Sequence, residues 1–422
     1  MDRFSPFQQA AIQKSKDDCL GDPAFTALVI DYGARADALL KKVGSAKLAN
    51  NKRDLRQAIN AVLNSYAAMV TSLVCSLPAK HRRTPQDILN VAGQLTPFRD
   101  CGEPIERHNE PKASGKGFRP ITKFRWRRRA LQRLCREIIN AMFGPDPSDL
   151  MAPGKGTEVA SDWMRQRLLD GGRFVVLADL KDFYTNINRE EVTRLLGLPR
   201  SVVENCIFVP STTTVTTTAT EDLSYPVPLD GASLMGLPQG SLVSPMIAGL
   251  LLGPSLRAFA GDRFGTHGDD IAIVACTWAE AKAMQKALVE SLKTHPAGPF
   301  RLKHCYIMTA SDGFDWLKYR FKLINSAAVS RDVSRMSYRR FKEKAAKLVL
   351  KEAMPDDLKI IQNYERNWCK SFRRKMFPMK QIVDIRIKLD TILTHARTIK
   401  SDTSDKKAMA RARKGLRNAV TR

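Results

Sequence analysis

Residues 264–275 read FGTHGDDIAIVA. Two adjacent carboxylates, Asp269 and Asp270, follow a glycine and precede an alternating apolar run, the pattern of a hairpin tip leading into a buried strand. Like charges side by side repel unless a divalent ion or a shared proton relieves them. The pair is therefore either a solvent-exposed turn or half of a cation site. Taken alone it fits both readings, and the rest of the chain has to decide.

A chain of 422 residues has room for two or three lobes, each with its own core. Hydrophobic residues make up 43% and charged residues 27%, the balance of a globular protein. No apolar run approaches a bilayer span, and the opening MDRFSPFQQA lacks the apolar centre of a secretory signal. Eight cysteines lie scattered with no C-x-x-C pair, so neither a disulfide framework nor a zinc site is indicated. Reduced thiols, a cytoplasmic location and no membrane partner are the expectation. Charge is the loudest bulk signal: 69 Lys and Arg against 43 Asp and Glu leave a formal +26. Such an excess attracts polyanions, of which nucleic acid is the most common.

Residues 1–100 show apolar spacing of three and four, as in RDLRQAINAVLNSYAAMVTSLVCSL, and read as a helical accessory region without a catalytic constellation. From Lys112 to Arg136 ten basic residues occur with no acidic one, and Phe118, Phe124 and Trp126 are interleaved among them. That density favours a phosphate-gripping surface over a merely solvated face. Within it FRPITKF suits a strand. Farther on, Phe174–Ala178 is a short buried strand ending on Asp179, an acid costly to bury unless a cation or donors meet it. The Thr-rich stretch 211–228 reads as an exposed hairpin or loop. Ser244 and Pro245 suit an N-cap and first helical position. Thr277 with Glu280 makes a capping box, and FDWLKYRFKL (314–323) alternates like a strand. From 331 onward the chain reads as helical and holds 26 basic against 10 acidic residues, the composition a nucleic-acid clamp needs.

If the strands carrying Asp179 and the Asp269–Asp270 tip are neighbours in one antiparallel sheet, three carboxylates meet. They would hold two divalent ions roughly 4 Å apart, the arrangement for in-line phosphoryl transfer. All-oxygen ligands suit a hard cation, so two Mg²⁺ ions are expected, with Mn²⁺ as a substitute.

These residues resemble the reverse transcriptase family, in its bacterial, retron- and group II intron-like branch. ADLKDFYTNI is similar to the family's first catalytic motif and GLPQGSLVSP to its second. HGDD stands where Tyr-x-Asp-Asp is usual, FDWLKYRF is similar to the primer grip, and GKGFRPITKF to the fingers hairpin. The five occur in the family's order over about half of the chain. The resemblance implies an α+β right-hand polymerase: an N-terminal helical region over 1–100, fingers and palm over 101–325, and a basic helical thumb over 326–422. It implies an RNA-directed DNA polymerase that takes dNTPs, an RNA template and a DNA product.

Carried over position by position, the resemblance makes Asp179, Asp269 and Asp270 catalytic metal ligands, with Leu180 contributing beside them. Tyr184 falls where the family keeps an aromatic that blocks a ribose 2′-hydroxyl, a discrimination by repulsion. Phe183, Gln239, Gly240, Arg119, Lys116 and Lys123 fall at nucleotide-contacting positions. His267, Gly268, Pro238, Trp316 and Lys318 fall at primer or template positions. The chain departs from the pattern at His267, at Lys318 where glycine is common, and before the primer grip, where Lys303 and His304 both stand near the expected lysine. GDD is also a signature of viral RNA polymerases, but these carry a second Asp where this chain has Tyr184 and lack LPQG. No ribonuclease H cluster or His/Cys-rich nuclease tail is present, nor the Val-Thr-Gly of retron thumbs, which leaves a resemblance to the enzymes of antiphage defence. An RNA-dependent RNA polymerase and a non-catalytic RNA-binding scaffold are the competing readings. A dedicated non-coding RNA, a protein partner and a homo-oligomer all stay open, as does priming.

Overall fold

The computed structural model describes residues 5–16, 22–78, 83–111, 118–151, 156–211, 213–217, 236–351, 363–364 and 366–368. Lys116, the Thr-rich stretch beyond 217 and most of the basic tail after 351 lie outside the described residues. The chain divides into two units that alternate along the sequence: Met1–Gly154, Ala178–Ile271 and Met284–Cys305 form one, and Lys155–Leu177, Ala272–Ala283 and Tyr306–Arg422 the other.

The first unit opens with helices α1 (Pro6–Lys16), α2 (Pro23–Leu48), α3 (Lys52–Leu63), α4 (Tyr66–Cys75) and α5 (Pro85–Gln94). Asp22, Asn51, Ser65 and Thr84 cap the last four by accepting first-turn backbone N–H groups, which fixes where each begins. Helix α1 approaches α2 at Gly33, where a Cβ would lie 2.8 Å from the Gln8 Cα. One turn later the buried Asp37 accepts the N–H groups of Phe7 (3.1 Å) and Gln8 (2.9 Å), capping α1 from the neighbouring helix. Burial pushes the Asp37 carboxyl up to about 6 against the pull of those two N–H groups.

Strands β1 (Ile105–Pro111) and β2 (Phe118–Lys123) form an antiparallel hairpin that feeds α6 (Trp126–Phe143). The basic run is not a uniform phosphate surface. Phe124 and Trp126 are buried, and the Trp126 indole N–H donates to the Leu73 carbonyl at 2.8 Å. Arg128, 1% exposed, donates to Asp100 Oδ1 and the Glu103 carbonyl, both at 2.8 Å. One face of an amphipathic helix must enter the core, and these side chains lie on it.

Helix α7 (Thr157–Leu169) precedes β3 (Phe174–Lys181). A 3-10 turn at Tyr184–Asn186 follows, then α8 (Arg189–Leu196), α9 (Arg200–Val202), a π turn over Val203–Ile207, and β4 (Val215–Thr217), which pairs parallel with β1. Next come α10 (Ser244–Ala260), β5 (Phe264–His267), β6 (Asp270–Ala275), α11 (Trp278–Lys293) and β7 (Arg301–Thr309). A four-stranded sheet has the order β5-β6-β3-β7, so the strand of Asp179 lies directly beside the strand that Asp270 begins. Strand β3 runs two residues past Asp179 instead of ending on it, because the Leu180 N–H bonds to the Asp269 carbonyl at 3.1 Å.

In the second unit FDWLKYRFKL is two strands, not one: β8 (Phe314–Trp316) and β9 (Tyr319–Asn325) turn at Leu317, whose φ is 53°. Strand β10 (Ala328–Val333) pairs antiparallel with β9, so α12 (Arg335–Lys351) begins four residues later than periodicity suggests. Phe314, Tyr319 and Phe321 fill this core, and Arg331 donates to Ser161 on α7 at 3.0 Å. The capping box at α11 forms as expected: Thr277 Oγ1 accepts the Glu280 N–H at 3.2 Å, and Glu280 accepts that of Cys276 at 2.7 Å.

An acid held above its unfolded value binds a proton in the folded chain that the unfolded chain has released. For Asp37 the window runs from 3.8 to about 6. Its contribution to stability therefore falls as pH rises through that window, by at most about 3 kcal/mol. Asp37→Asn should flatten the change in urea midpoint between about pH 4 and 6.5. An unaltered change would rule Asp37 out as its source.

Candidate active site

Asp179 lies in β3 next to Leu180, whose N–H bonds to the carbonyl of Asp269 in the β5–β6 turn; the tip of that turn is Gly268 and Asp269. The turn depends on Gly268, which adopts φ 68° and carries no Cβ. A Cβ there would stand 3.2 Å from the Tyr184 hydroxyl and 3.2 Å from the Met151 sulfur, so both side chains reach the tip. Met151 arrives on a segment laid along β5: Leu150 N–H bonds to the Thr266 carbonyl (2.9 Å) and Thr266 N–H to the Ser148 carbonyl (2.8 Å). The buried Asp149 accepts the Met151 N–H at 2.9 Å. Sequence reasoning missed Asp149 and Met151; their signal was the turn-forming DPSD at 146–149, unremarkable without its partners.

The GLPQG turn is wedged between two parts of this site. Leu237 N–H bonds to the Tyr184 carbonyl at 2.8 Å, and the Gln239 carbonyl accepts from Thr122 on β2 at 2.8 Å. Both glycines mark backbone approach. A Cβ at Gly236 would fall 2.0 Å from the Tyr184 oxygen, and one at Gly240, with φ 103°, 2.3 Å from the Thr122 oxygen. Ser244 is the first residue of α10 and not its cap, because its hydroxyl is used on the Pro238 carbonyl at 2.9 Å. The Gln239 Oε1 atom is buried with no hydrogen-bond partner among the described residues.

The three acids share one field. Burial, then the charge of Asp269, then that of Asp179 push the half-buried Asp270 carboxyl up to about 7. Burial first and Asp179 next raise Asp269, against its own backbone N–H. Two cations oppose the rise at both acids: Arg119, exposed on β2, and Lys303 on β7. Burial, Asp269 and Asp149 raise the Tyr184 hydroxyl well above its ordinary value. Lys303 Nζ stands 2.6 Å from Asp179 Oδ2. Among the described residues no group of three or more His, Cys, Asp and Glu closes into a shell that could hold a metal ion. The donor set nevertheless fits a hard divalent cation: all-oxygen, partly desolvated, and short of counter-charge, as the raised acids record.

Of the other expected site residues, Lys123 is exposed on β2 opposite Glu106, and His267 ends β5 half-buried. Phe183 is 1% exposed with its ring against Phe300, centroids 4.9 Å apart, so its side chain is part of the core. The Leu180 side chain is likewise buried, and its backbone N–H meets the turn at the Asp269 carbonyl. Trp316 and Lys318 belong to the second unit. The Trp316 ring is buried, 6.0 Å from that of Trp163, and the half-buried Lys318 ammonium lies 5.7 Å from the Tyr319 ring. Lys116 lies outside the described residues.

Gly236→Ala and Gly240→Ala should each cost about 1–3 kcal/mol by forcing the turn off its two supports. Chemical denaturation checks this; a loss below about 0.5 kcal/mol in both would mean that the turn is not wedged.

No curated protein matches the chain. Among solved structures, telomerase from Candida albicans in complex with a fragment of telomeric RNA is similar over 75% of this chain and 63% of that chain, at 12% identity and a TM-score of 0.34. The chain thus spans less than two thirds of that protein, and the likeness is too loose to place residues by. The family described as reverse transcriptase (RNA-dependent DNA polymerase) matches residues 110–321, half of the chain, from the β1–β2 hairpin through the acid turn into β9. With its mixed helices and sheets arranged as an α+β polymerase fold, the chain belongs to the reverse transcriptase family, the RNA-dependent DNA polymerases.

Proposed function

We propose that the protein joins deoxynucleotides on an RNA template at the site formed by Asp179, Asp269 and Asp270. The observation that carries this reading is the adjacency of β3 and β6, locked by the Leu180–Asp269 backbone bond, which brings acids ninety positions apart into one field. Asp179 and Asp269 would hold divalent ions, Mg²⁺ first, with Asp270 completing the negative charge. When bound, such ions supply a lowered pKa at the attacking hydroxyl and counter-charge for the phosphates. Arg119, exposed on β2 with its charge acting on Asp269 and Asp270, meets the triphosphate. Tyr184, pinned through its carbonyl by Leu237 and at its hydroxyl end by Gly268, presents a fixed ring that excludes a 2′-hydroxyl. Gln239, with its unpartnered Oε1, meets the incoming base pair.

The +26 charge supports an RNA partner, and its concentration after residue 331 supports a clamp on the template–product duplex. A dedicated non-coding RNA as template, a cytoplasmic location and a part in bacterial antiphage defence complete the proposal. These finer parts rest on the motif departures and absences in the sequence alone.

Asp269→Ala with Asp270→Ala should lower dNTP incorporation by at least about a thousandfold while RNA binding survives. Full incorporation by the double variant ends the proposal, and loss of RNA binding along with it would point to a folding defect. Tyr184→Ala should relax the choice of sugar, read as the ratio of dNTP to rNTP kcat/KM. A wild-type preference for rNTPs would favour the RNA polymerase reading that GDD allows, and no incorporation of either in the presence of Mg²⁺ would favour the scaffold.

A further inference from the structure

Asp179 already has a cation on it. Lys303 lies on β7, the strand bordering β3, and its ammonium donates to Asp179 Oδ2 at 2.6 Å. The two partners are unequally held. The Asp179 side chain is 16% exposed and fixed by its place within β3, whereas that of Lys303 is 58% exposed on an edge strand. An exposed, flexible ammonium exchanges its partner for water at little cost, while a carboxylate inside a sheet stays where it is. The same lysine acts beyond its partner, since its charge also favours the ionised forms of Asp269 and Asp270. It therefore serves all three acids as counter-charge.

A divalent ion bound to Asp179 would stand within a few ångströms of that ammonium, and like charges at such range repel. Both cannot remain. We propose that Lys303 is a built-in counter-ion that occupies Asp179 in the ion-free protein and is displaced when a divalent cation enters, so that it sets the affinity of the site. The inference rests on the reading of Asp179, Asp269 and Asp270 as ion ligands.

The test is Mn²⁺ binding to the full chain without nucleotide, read from the electron paramagnetic resonance signal of the free ion. Lys303→Met should bind Mn²⁺ more tightly by about three- to fivefold, the upper part of the range for breaking a partly exposed ion pair. Lys303→Arg keeps the charge and should stay within about twofold of wild type. In the wild-type protein, acylation of Lys303 by an amine-reactive ester, followed by mass spectrometry, should rise with Mn²⁺ along the same saturation curve. In Asp179→Asn it should be high at every Mn²⁺ concentration. Unchanged or weaker binding by Lys303→Met, an equal gain in Lys303→Arg, or acylation indifferent to Mn²⁺ overturns the role of Lys303. Mn²⁺ binding that persists in Asp269→Asn with Asp270→Asn overturns the ion-site reading beneath it, a separate outcome.

Discussion

Mutual repulsion among three carboxylates is the constraint around which the first unit is arranged. Asp179, Asp269 and Asp270 lie in one another's field, partly out of water, and two of them are driven toward the protonated form. Burying such a group without counter-charge costs several kcal/mol, and a chain shaped only for stability would place apolar residues there. The sheet instead supplies cations at its margins, Arg119 from β2 and Lys303 from β7. Neither is locked in place; both are exposed. Exposed cations exchange a partner for water at little cost, so counter-charge placed there is separable from the framework that holds the acids.

Around the acids the framework is set by backbone, not by side chains. Leu180 is bonded to Asp269, Leu237 to Tyr184, Thr122 to Gln239, and Leu150 to Thr266, all through main-chain N–H and carbonyl groups. Two glycines, at 236 and 240, sit where a single Cβ would collide with the backbone of a neighbouring segment, and a third, Gly268, turns the tip at φ 68°. Main-chain bonds of this kind tie five separate stretches into one platform whatever side chains they carry. The variable chemistry then rides on a rigid base: a ring at Tyr184, an amide at Gln239, a guanidinium at Arg119. Pre-organisation of that sort is what electrostatic stabilisation of a phosphoryl transfer requires.

Much of the basic character that marks the sequence has a structural use nearer the core. Arg128 is spent on Asp100 and the Glu103 carbonyl, and Arg125 pairs with Glu106. Arg133 and Arg136 both pair with the buried Glu137. The Arg125 and Arg128 contacts tie the start of α6 to its surroundings, the Glu137 pairs lie within the helix, and Arg119 and Lys123 are the exposed basic side chains of β2. Charge density along a chain therefore overstates the surface available to a polyanion, because a helix turns a third or more of its residues inward.

What the sequence by itself determined was local: the helical N-terminal region, the capping box of α11, the fingers hairpin, and the hairpin tip of Asp269 and Asp270. Each follows from spacing, turn chemistry or a cap within about ten residues. The family motifs in their order carried the fold class with them. Tertiary structure alone decided the rest. It carried β3 past Asp179, broke the 314–323 run at Leu317, and sent Phe183 and Trp316 into cores. It also gave Lys303 to Asp179, a partner 124 positions away. The physical reason is common to all of these. They are settled by which strands become neighbours, and strand pairing joins segments whose separation along the chain leaves no periodic trace in either one.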